Sequence, residues 1–189
     1  MEISLIRHGK SKLTENEKIT CIEFKKWVEK YNNNGVFKES SYPAVALKKV
    51  AASNIVFTSD LQRSVESARL LNPGTKIISD RIFREIELPS NPTKLVGIKL
   101  KASIWAVILR VFWFSGYSNE CESFSQAKLR ASKASQQLIG YADVHKKIVL
   151  VGHGFFNMLI AKELQKLGWK GKRKPGAKHW SCTTYTLTN

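Results

Sequence analysis

Two histidines, His8 and His153, stand at equivalent places in this sequence, each directly before a glycine and at the end of a predicted β-strand. The two strands are the short apolar runs at residues 2–6 and 147–151. The carboxyl ends of parallel strands meet at one edge of a sheet, so both imidazoles can face one ligand there, and each glycine lets that ligand approach the backbone. A neutral imidazole is a good nucleophile toward phosphorus, so this pair predicts phosphoryl chemistry through a covalent phosphohistidine.

A transferring phosphoryl group carries negative charge, so its site must surround it with fixed hydrogen-bond donors. Arg7 adjoins His8, and Arg63 lies one turn into the helix predicted after the second strand, where the helix N-terminus and the guanidinium can face the same anion. His153 adds a positive donor when it is protonated. These side chains are the predicted phosphate ligands, although Arg63 taken by itself would be interpreted as a solvated helix residue.

The oxygen that leaves phosphorus needs a proton, and Glu85 is the predicted donor. It follows the third predicted strand, at residues 76–79, and so leaves the sheet at the same edge as the histidines. Negative charge on a bound phosphate favours the protonated form of a neighbouring carboxyl group. Glu87 is the competing candidate, and a solvated loop of Arg and Glu residues is the structural alternative for both.

The segments between these residues alternate between strand and helix patterns. Predicted strands lie at residues 2–6, 54–58, 76–79, 147–151 and 181–187, and predicted helices lie at residues 19–31, 44–52, 61–71, 123–143 and 155–167. Such alternation predicts an α/β protein, a three-layer α/β/α sandwich with a mostly parallel central sheet. Residues 1–189 are expected to form a single domain with a helical insert at about residues 88–120. Ser59 and Asp60 are the predicted caps of the helix at residues 61–71.

The insert contains a segment, residues 95–114, that is apolar almost all the way round a helix. Lys99, Lys101 and Arg110 interrupt it, and a membrane-spanning helix needs about 20 mostly apolar residues, so the clear run is too short to span. We favour a lid or packing helix, buried against the domain or against a second subunit, over attachment to a membrane surface. The oligomeric state stays open.

The charge of the chain narrows the range of partners. Lys and Arg number 31 against 15 Asp and Glu, a formal net charge of +16. Such a molecule attracts polyanions, which include nucleic acid, an anionic membrane surface, an acidic protein and a phosphorylated substrate. Nucleic acid is not expected as a partner, because the basic residues are dispersed, some of them in a predicted loop at residues 169–178, and no recognition motif accompanies them.

The three cysteines, Cys21, Cys121 and Cys182, are widely spaced and form no CxxC pair. This pattern is typical of reduced thiols in the cytosol rather than of a disulfide framework or a zinc site. The first predicted strand begins at the very start of the chain and leaves no room for a signal peptide, so we expect a cytoplasmic protein.

Five motifs occur in an order that resembles the histidine phosphatase superfamily, whose fold is phosphoglycerate-mutase-like. They are Arg7-His8-Gly9 and residues 58–64 (TSDLQRS), 83–85 (FRE), 122–124 (ESF) and 151–154 (VGHG). The resemblance covers nearly the whole chain. The order of the motifs is more specific than any one of them alone.

The resemblance implies a metal-independent phosphatase that needs no cofactor and acts on a phosphorylated small molecule or a phosphoprotein. The implied roles are nucleophile for His8, phosphate pocket for Arg7, Arg63 and His153, proton donor for Glu85, and phosphate contacts from the Gly154 N–H and from Ser11. Many members continue the first motif into Trp and Asn, where this chain has Leu13 and Thr14. A phosphatase is therefore expected, with mutase-type phosphoryl transfer and a non-catalytic protein that binds anions or a membrane surface as alternatives.

Overall fold

A central sheet organises the chain in the computed structural model, which describes residues 1–15, 17–90, 95 and 97–188. The strands within these residues are β1 (Glu2–Arg7), β2 (Lys18–Ile19), β3 (Ile55–Thr58), β4 (Lys76–Ser79), β5 (Leu100–Lys101), β6 (Lys147–Gly152), β7 (Lys170–Gly171) and β8 (Cys182–Thr186). Six of them form the central sheet in the order β4-β3-β6-β1-β8-β7. The first four in this order run parallel, whereas β8 is antiparallel to β1 and to β7.

Helices cover both faces of this sheet. They are α1 (Cys21–Asn33), α2 (Ala44–Ala51), α3 (Gln62–Leu71), α4 (Ala102–Phe114), α5 (Phe124–His145) and α6 (Gly154–Lys166), with a 3₁₀ turn at Arg81–Phe83. Side chains alternate along β1, so that Ile3 and Leu5 pack with α5 and α6, and Ile6 packs with α2 and α3. The predicted three-layer α/β/α sandwich with a mostly parallel sheet is confirmed.

The pairing of β1 with β6 sets the position of both strand-end histidines. The two strands are parallel and in register from Glu2 opposite Lys147 to Arg7 opposite Gly152. His8 continues this pairing by donating its backbone N–H to the Gly152 carbonyl at 3.0 Å. The residues that follow the two strands therefore leave the sheet side by side.

Two predicted helices begin later than the sequence pattern indicates. The residues before them form a second, two-stranded sheet, in which β2 pairs antiparallel with β5. Because this pairing keeps the backbone extended, the predicted helix at residues 19–31 begins only at Cys21, and the one at residues 95–114 begins only at Ala102.

The helix α4 is buried on one side and exposed on the other. Its residues Trp105 and Leu109 pack in a small core with residues of α1, whereas Ile104, Val107 and Val111 are 45%, 64% and 61% exposed. The inner face thus matches the expected packing helix. None of the helices among the described residues is long and apolar enough to cross a membrane. Positions 91–94 and 96 of the predicted insert lie outside the described residues.

The prediction of a basic loop at residues 169–178 is wrong for the first residues of this range. Gly168 has φ +85 and ends α6, and the N–H of Trp169 donates to the Leu164 carbonyl at 3.0 Å. Trp169 is only 3% exposed, and the next two residues form β7. Burial of this tryptophan brings the start of the segment against the sheet.

Gly9 is required by the packing around it. A Cβ at this position would lie 2.1 Å from the ring of Trp180, which is itself only 3% exposed. Gly140 lies on the exposed side of α5, and a Cβ added there would meet no atom within 4 Å. The two glycines therefore offer a matched comparison.

Gly9→Ala is expected to lower the free energy of unfolding by about 1–3 kcal/mol, because Trp180 must shift within a packed core. Gly140→Ala should raise it by about 0.5–1 kcal/mol, since alanine favours the helix and meets no obstacle. Urea unfolding followed by circular dichroism measures both values. Equal effects of the two substitutions would contradict the packing role of Gly9.

Candidate active site

The two strand-end imidazoles lie next to each other at the carboxyl edge of the sheet. The ring centroids of His8 and His153 are 5.1 Å apart, with an angle of 60° between the ring planes. His8 is 3% exposed and His153 is fully buried. The structure therefore brings the two predicted histidines together in one buried place.

The ring of His8 is oriented by its own backbone. Its Nδ1 lies 2.7 Å from the carbonyl oxygen of Gly9, which can only accept, so Nδ1 carries the proton and donates it. The lone pair of the neutral ring then belongs to Nε2. On the other side of the ring, His179 lies with its centroid at 5.5 Å, and its Nδ1 is 2.9 Å from the His8 carbonyl oxygen.

A serine orients the ring of His153. Its Nε2 lies 2.7 Å from the hydroxyl of Ser59, and that hydroxyl oxygen accepts the N–H of Leu61 at 3.3 Å. We assign the hydroxyl proton to the hydrogen bond with Nε2, which pairs this buried hydroxyl and leaves the ring proton on Nδ1. The predicted cap role of Ser59 is wrong, because α3 begins at Gln62 with Leu61 as its N-cap and no side-chain cap bond.

Two arginines lie beside the imidazoles, and each is held by a hydrogen bond from its terminal nitrogen Nη1. Arg7 donates through Nη1 to the Ala177 carbonyl, and Arg63 donates through Nη1 to the Asn32 side chain at 2.8 Å. The Nε atoms of both arginines, and the Nδ1 of His153, are buried without a hydrogen-bond partner in the described part of the chain. Neither arginine forms an ion pair among these residues.

Burial and positive charge keep both imidazoles neutral. Burial is the largest cause that lowers the pKa of His8 well below its usual 6.5, and the charge of Arg63 lowers it further. Burial likewise lowers the pKa of His153 well below 6.5, followed by the charges of Arg63, His8 and Arg7. Around neutral pH, His8 Nε2 therefore carries the free electron pair that a nucleophile needs.

Glu85 lies at the beginning of α6, beside His153. Its Oε2 accepts the N–H of Phe155 at 3.2 Å and its Oε1 accepts the N–H of Phe156 at 3.0 Å, in the first turn of the helix whose N-cap is His153. Free N–H groups at a helix N-terminus attract a carboxylate. Because Oε2 accepts a single N–H, one of its lone pairs is left for a proton.

The loop that carries Glu85 is anchored by its neighbour. Arg84 donates to both carboxylate oxygens of Asp60, at 2.6 Å and 2.7 Å, and these hydrogen bonds lower the pKa of Asp60. Asp60 is therefore not the helix cap that the sequence predicts. The pair joins the segment after β3 to the segment after β4.

The remaining candidates, Gly154, Ser11 and Glu87, each have different surroundings. Gly154 lies against the Arg7 guanidinium, since a Cβ there would be 3.5 Å from Arg7 Nε. The Ser11 hydroxyl accepts the N–H of Leu13 at 3.2 Å, and Ser11 forms an antiparallel β-bridge with Val36. Glu87, the competing acid, lines the same cavity as Glu85 without a bond to α6.

A cavity of about 630 Å³ opens next to this cluster, with Arg7, Arg63 and Glu85 among its lining residues. The two imidazoles are buried beside these arginines and do not line the cavity themselves. The remaining walls come from α1, from α4 and from residues 84–90. This volume is typical of a site for a small organic ligand.

The side chains that position the site carry little signal in the local sequence. Ser59, Asn32 and His179 hold His153, Arg63 and the backbone of His8 through contacts that span 31 to 171 residues along the chain. Of these, only Ser59 carried a local signal, its place just after a predicted strand, and that signal also suited a helix cap.

The structure also bears on metal ligands and thiols. Among the residues that it describes, no group of three or more His, Cys, Asp or Glu side chains is placed to hold a metal ion. The three cysteines are free, as predicted, and burial raises the pKa of Cys121 to about 11.

Sequence comparison identifies one family. The profile of the histidine phosphatase superfamily (branch 1) matches residues 37–189, which is most of the chain but begins after Arg7-His8-Gly9. No curated protein sequence matches the chain significantly.

Solved structures with the same fold cover almost the whole chain. Phosphoglycerate mutase from Bacillus anthracis is 15% identical with a TM-score of 0.61, covering 100% of this chain and 91% of its own. A phosphoserine phosphatase mutant from Entamoeba histolytica, in complex with phosphoserine, is 15% identical with a TM-score of 0.58 and covers 99% and 91%. Mycobacterial glucosyl-3-phosphoglycerate phosphatase is 16% identical with a TM-score of 0.59 and covers 97% and 88%.

The buried imidazoles predict a titration behaviour that differs between the free and the anion-bound protein. In phosphate-free protein, the ¹³Cε1 shifts of His8 and His153 should titrate with midpoints well below 6.5. Bound inorganic phosphate should raise the midpoint of His153, since the anion offsets the charges of the arginines. Spectra of His8→Gln and His153→Gln assign the signals, and a midpoint at or above 6.5 in the free protein would contradict this account.

The same shifts predict how stability depends on pH. The unfolded chain takes up protons on these histidines near pH 6.5, while the folded chain takes them up only at lower pH. Their contribution to the free energy of unfolding is therefore complete above about pH 6.5 and is lost as the pH falls below it. Urea unfolding from pH 7.5 to 5 should show this loss, and His153→Gln should reduce it.

Proposed function

Because the chain belongs to the histidine phosphatase superfamily (branch 1), we propose that it is a phosphatase that hydrolyses a phosphomonoester or a phosphohistidine. The reaction passes through a covalent phosphohistidine on His8, and Glu85 is the proton donor. Neighbours of the same fold include proteins described as phosphatases of phosphoserine and of glucosyl-3-phosphoglycerate. Their names are consistent with phosphoryl chemistry and leave the substrate of this chain open.

The observation that carries the proposal is the set of three unpaired nitrogen atoms, Arg7 Nε, Arg63 Nε and His153 Nδ1. A buried donor without a partner costs about 1–3 kcal/mol, so three of them beside one imidazole call for a ligand that accepts hydrogen bonds. A phosphoryl group has three non-bridging oxygens and negative charge. We expect it to accept hydrogen bonds from all three donors and to offset the charge of two arginines that form no ion pair among the described residues.

In the first step, Nε2 of His8 attacks phosphorus. A bond forms between Nε2 and phosphorus, the bond between phosphorus and the ester oxygen breaks, and that oxygen takes the proton from Glu85 Oε2. Arg7, Arg63 and His153 hold the non-bridging oxygens while charge shifts onto the leaving oxygen. The N–H groups of Phe155 and Phe156 already go to Glu85, so the N–H of Gly154 is the helix donor proposed for the phosphoryl group.

In the second step, water replaces the alcohol. Ionised Glu85 accepts a proton from this water, the water oxygen bonds to phosphorus, and the bond between phosphorus and Nε2 breaks. Inorganic phosphate leaves and both residues regain their starting states. Return of the phosphoryl group to an organic acceptor in place of water would be mutase chemistry, so the release of phosphate distinguishes the two.

His8→Ala is expected to lower kcat/KM for an aryl phosphate at least about 1,000-fold, because it removes the nucleophile of the proposed covalent intermediate. Phosphate release from 4-nitrophenyl phosphate measures this, with His145→Ala as the control histidine outside the site. Acid-labile, alkali-stable label from a ³²P substrate should appear on the wild type and be absent from His8→Ala.

Three results would contradict the proposal. One is phosphate release that persists in His8→Ala. Another is isomerised phosphoglycerate with little release, which would favour the mutase. The third is a wild type that hydrolyses no phosphate compound, which would favour a protein that only binds anions.

A further inference from the structure

We infer that the alcohol released by this phosphatase is apolar, with an aromatic ring or an alkyl chain that lies along three stacked aromatic side chains of α1. This inference rests on the proposed function and names the substrate class of the same site. The three residues, Phe24, Trp27 and Tyr31, are called here the aromatic ladder. All three line the cavity that opens at the arginines.

The aromatic ladder is built by helix geometry. Its members are three and four positions apart on α1, so they project from the same side of the helix. The centroids of Phe24 and Trp27 are 5.8 Å apart and those of Trp27 and Tyr31 are 5.2 Å apart, with ring planes within 10° and 13° of parallel. The rings form one stack along the cavity, with Phe24, which is only 3% exposed, at the end that packs in the small core.

The Tyr31 end of the ladder reaches the phosphate ligands. The guanidinium of Arg63 lies over the ring of Tyr31, with Cζ 4.6 Å from the centroid. Arg63 Nη1 also bonds to Asn32, the residue after Tyr31. A phosphoryl group held by Arg63 therefore has the ladder directly beside its ester oxygen, and the alcohol can extend from Tyr31 toward Phe24.

Apolar side chains of other elements also line the cavity. Leu88 lines it, and α4 contributes Ala106 and Leu109. Leu109 packs in the same small core as Phe24, which holds α1 and α4 together. The space between the two helices is therefore a slot with apolar groups on both sides, as expected for a hydrophobic ligand.

Two of the cations along this slot are already paired with carboxylates. Lys25 bonds to Glu120 at 3.1 Å, and Arg84 is held by Asp60. Arg110 donates to the Ile86 carbonyl and stacks on two aromatic rings, with one nitrogen, Nη1, left without a partner in the described residues. A second anionic group on the substrate could bind at that nitrogen, so charged substrates provide the opposing test.

The slot offers one polar contact within its apolar surface. Trp27 Nε1 is buried and has no hydrogen-bond partner among the described residues. An indole N–H can only donate, so it fits a single oxygen, such as an ether or a carbonyl, on a ligand that is otherwise apolar.

A series of n-alkyl phosphates from ethyl to hexyl tests the inference, because the leaving alcohols have nearly the same acidity and differ only in apolar length. The kcat/KM of the wild type should rise with each methylene, by up to about fourfold. Trp27→Ala should flatten this rise. Ile22→Ala, an exposed position on the same helix, should behave as the wild type.

The inference is overturned if kcat/KM does not rise with chain length, or if phosphoserine or 3-phosphoglycerate is preferred to hexyl phosphate. Binding of ethylphosphonate and hexylphosphonate by calorimetry makes the same comparison without turnover. If no ester is hydrolysed, the proposed function fails, while a tighter hexylphosphonate complex that weakens in Trp27→Ala would still support the slot. Equal affinities of the wild type for the two phosphonates would exclude the slot. This comparison needs only the wild type, so it holds even if Trp27→Ala does not fold.

Discussion

The parallel, in-register pairing of β1 with β6 is the constraint on which the rest of the site depends. Because Arg7 pairs with Gly152, His8 and His153 leave the sheet at the same level. Side chains along a strand alternate between its faces, so a shift of one residue would turn one imidazole to the wrong side. Apolar residues of both strands are buried in two separate cores, one on each face of the sheet, and these cores hold the register.

Burial then decides the chemical state of the site. Both imidazoles lose water and stand near fixed guanidinium groups, which lowers the pKa of each ring. The arginines are anchored through Nη1, by a carbonyl in one case and an amide in the other, so their Nε atoms stay unpaired. Glu85, the nearby carboxylate, is bound to the start of α6 instead. The result is a pocket in which neither Arg7 nor Arg63 forms an ion pair with a carboxylate of the described residues, and this is the basis of the proposed binding of a phosphoryl group.

The sequence indicated the residues of this cluster better than the contacts that hold it. Strand patterns ending in histidine were sufficient to place His8 beside His153, because parallel strands share an edge. Roles such as that of Ser59 depend on a partner 94 positions away, which no local pattern contains. The start of α4 was missed for a similar reason, since β5 exists only through its pairing with β2. The family profile begins at residue 37 and so does not include the Arg7-His8-Gly9 motif.

A crystal structure of the protein with vanadate tests the central claim most directly, since vanadate has the charge and shape of a phosphoryl group in transfer. The account predicts vanadium bonded to His8 Nε2, with its oxygens accepting hydrogen bonds from Arg7 Nε, Arg63 Nε and His153 Nδ1. Vanadate bound elsewhere, or in this pocket with those three nitrogens still unpaired, would contradict it.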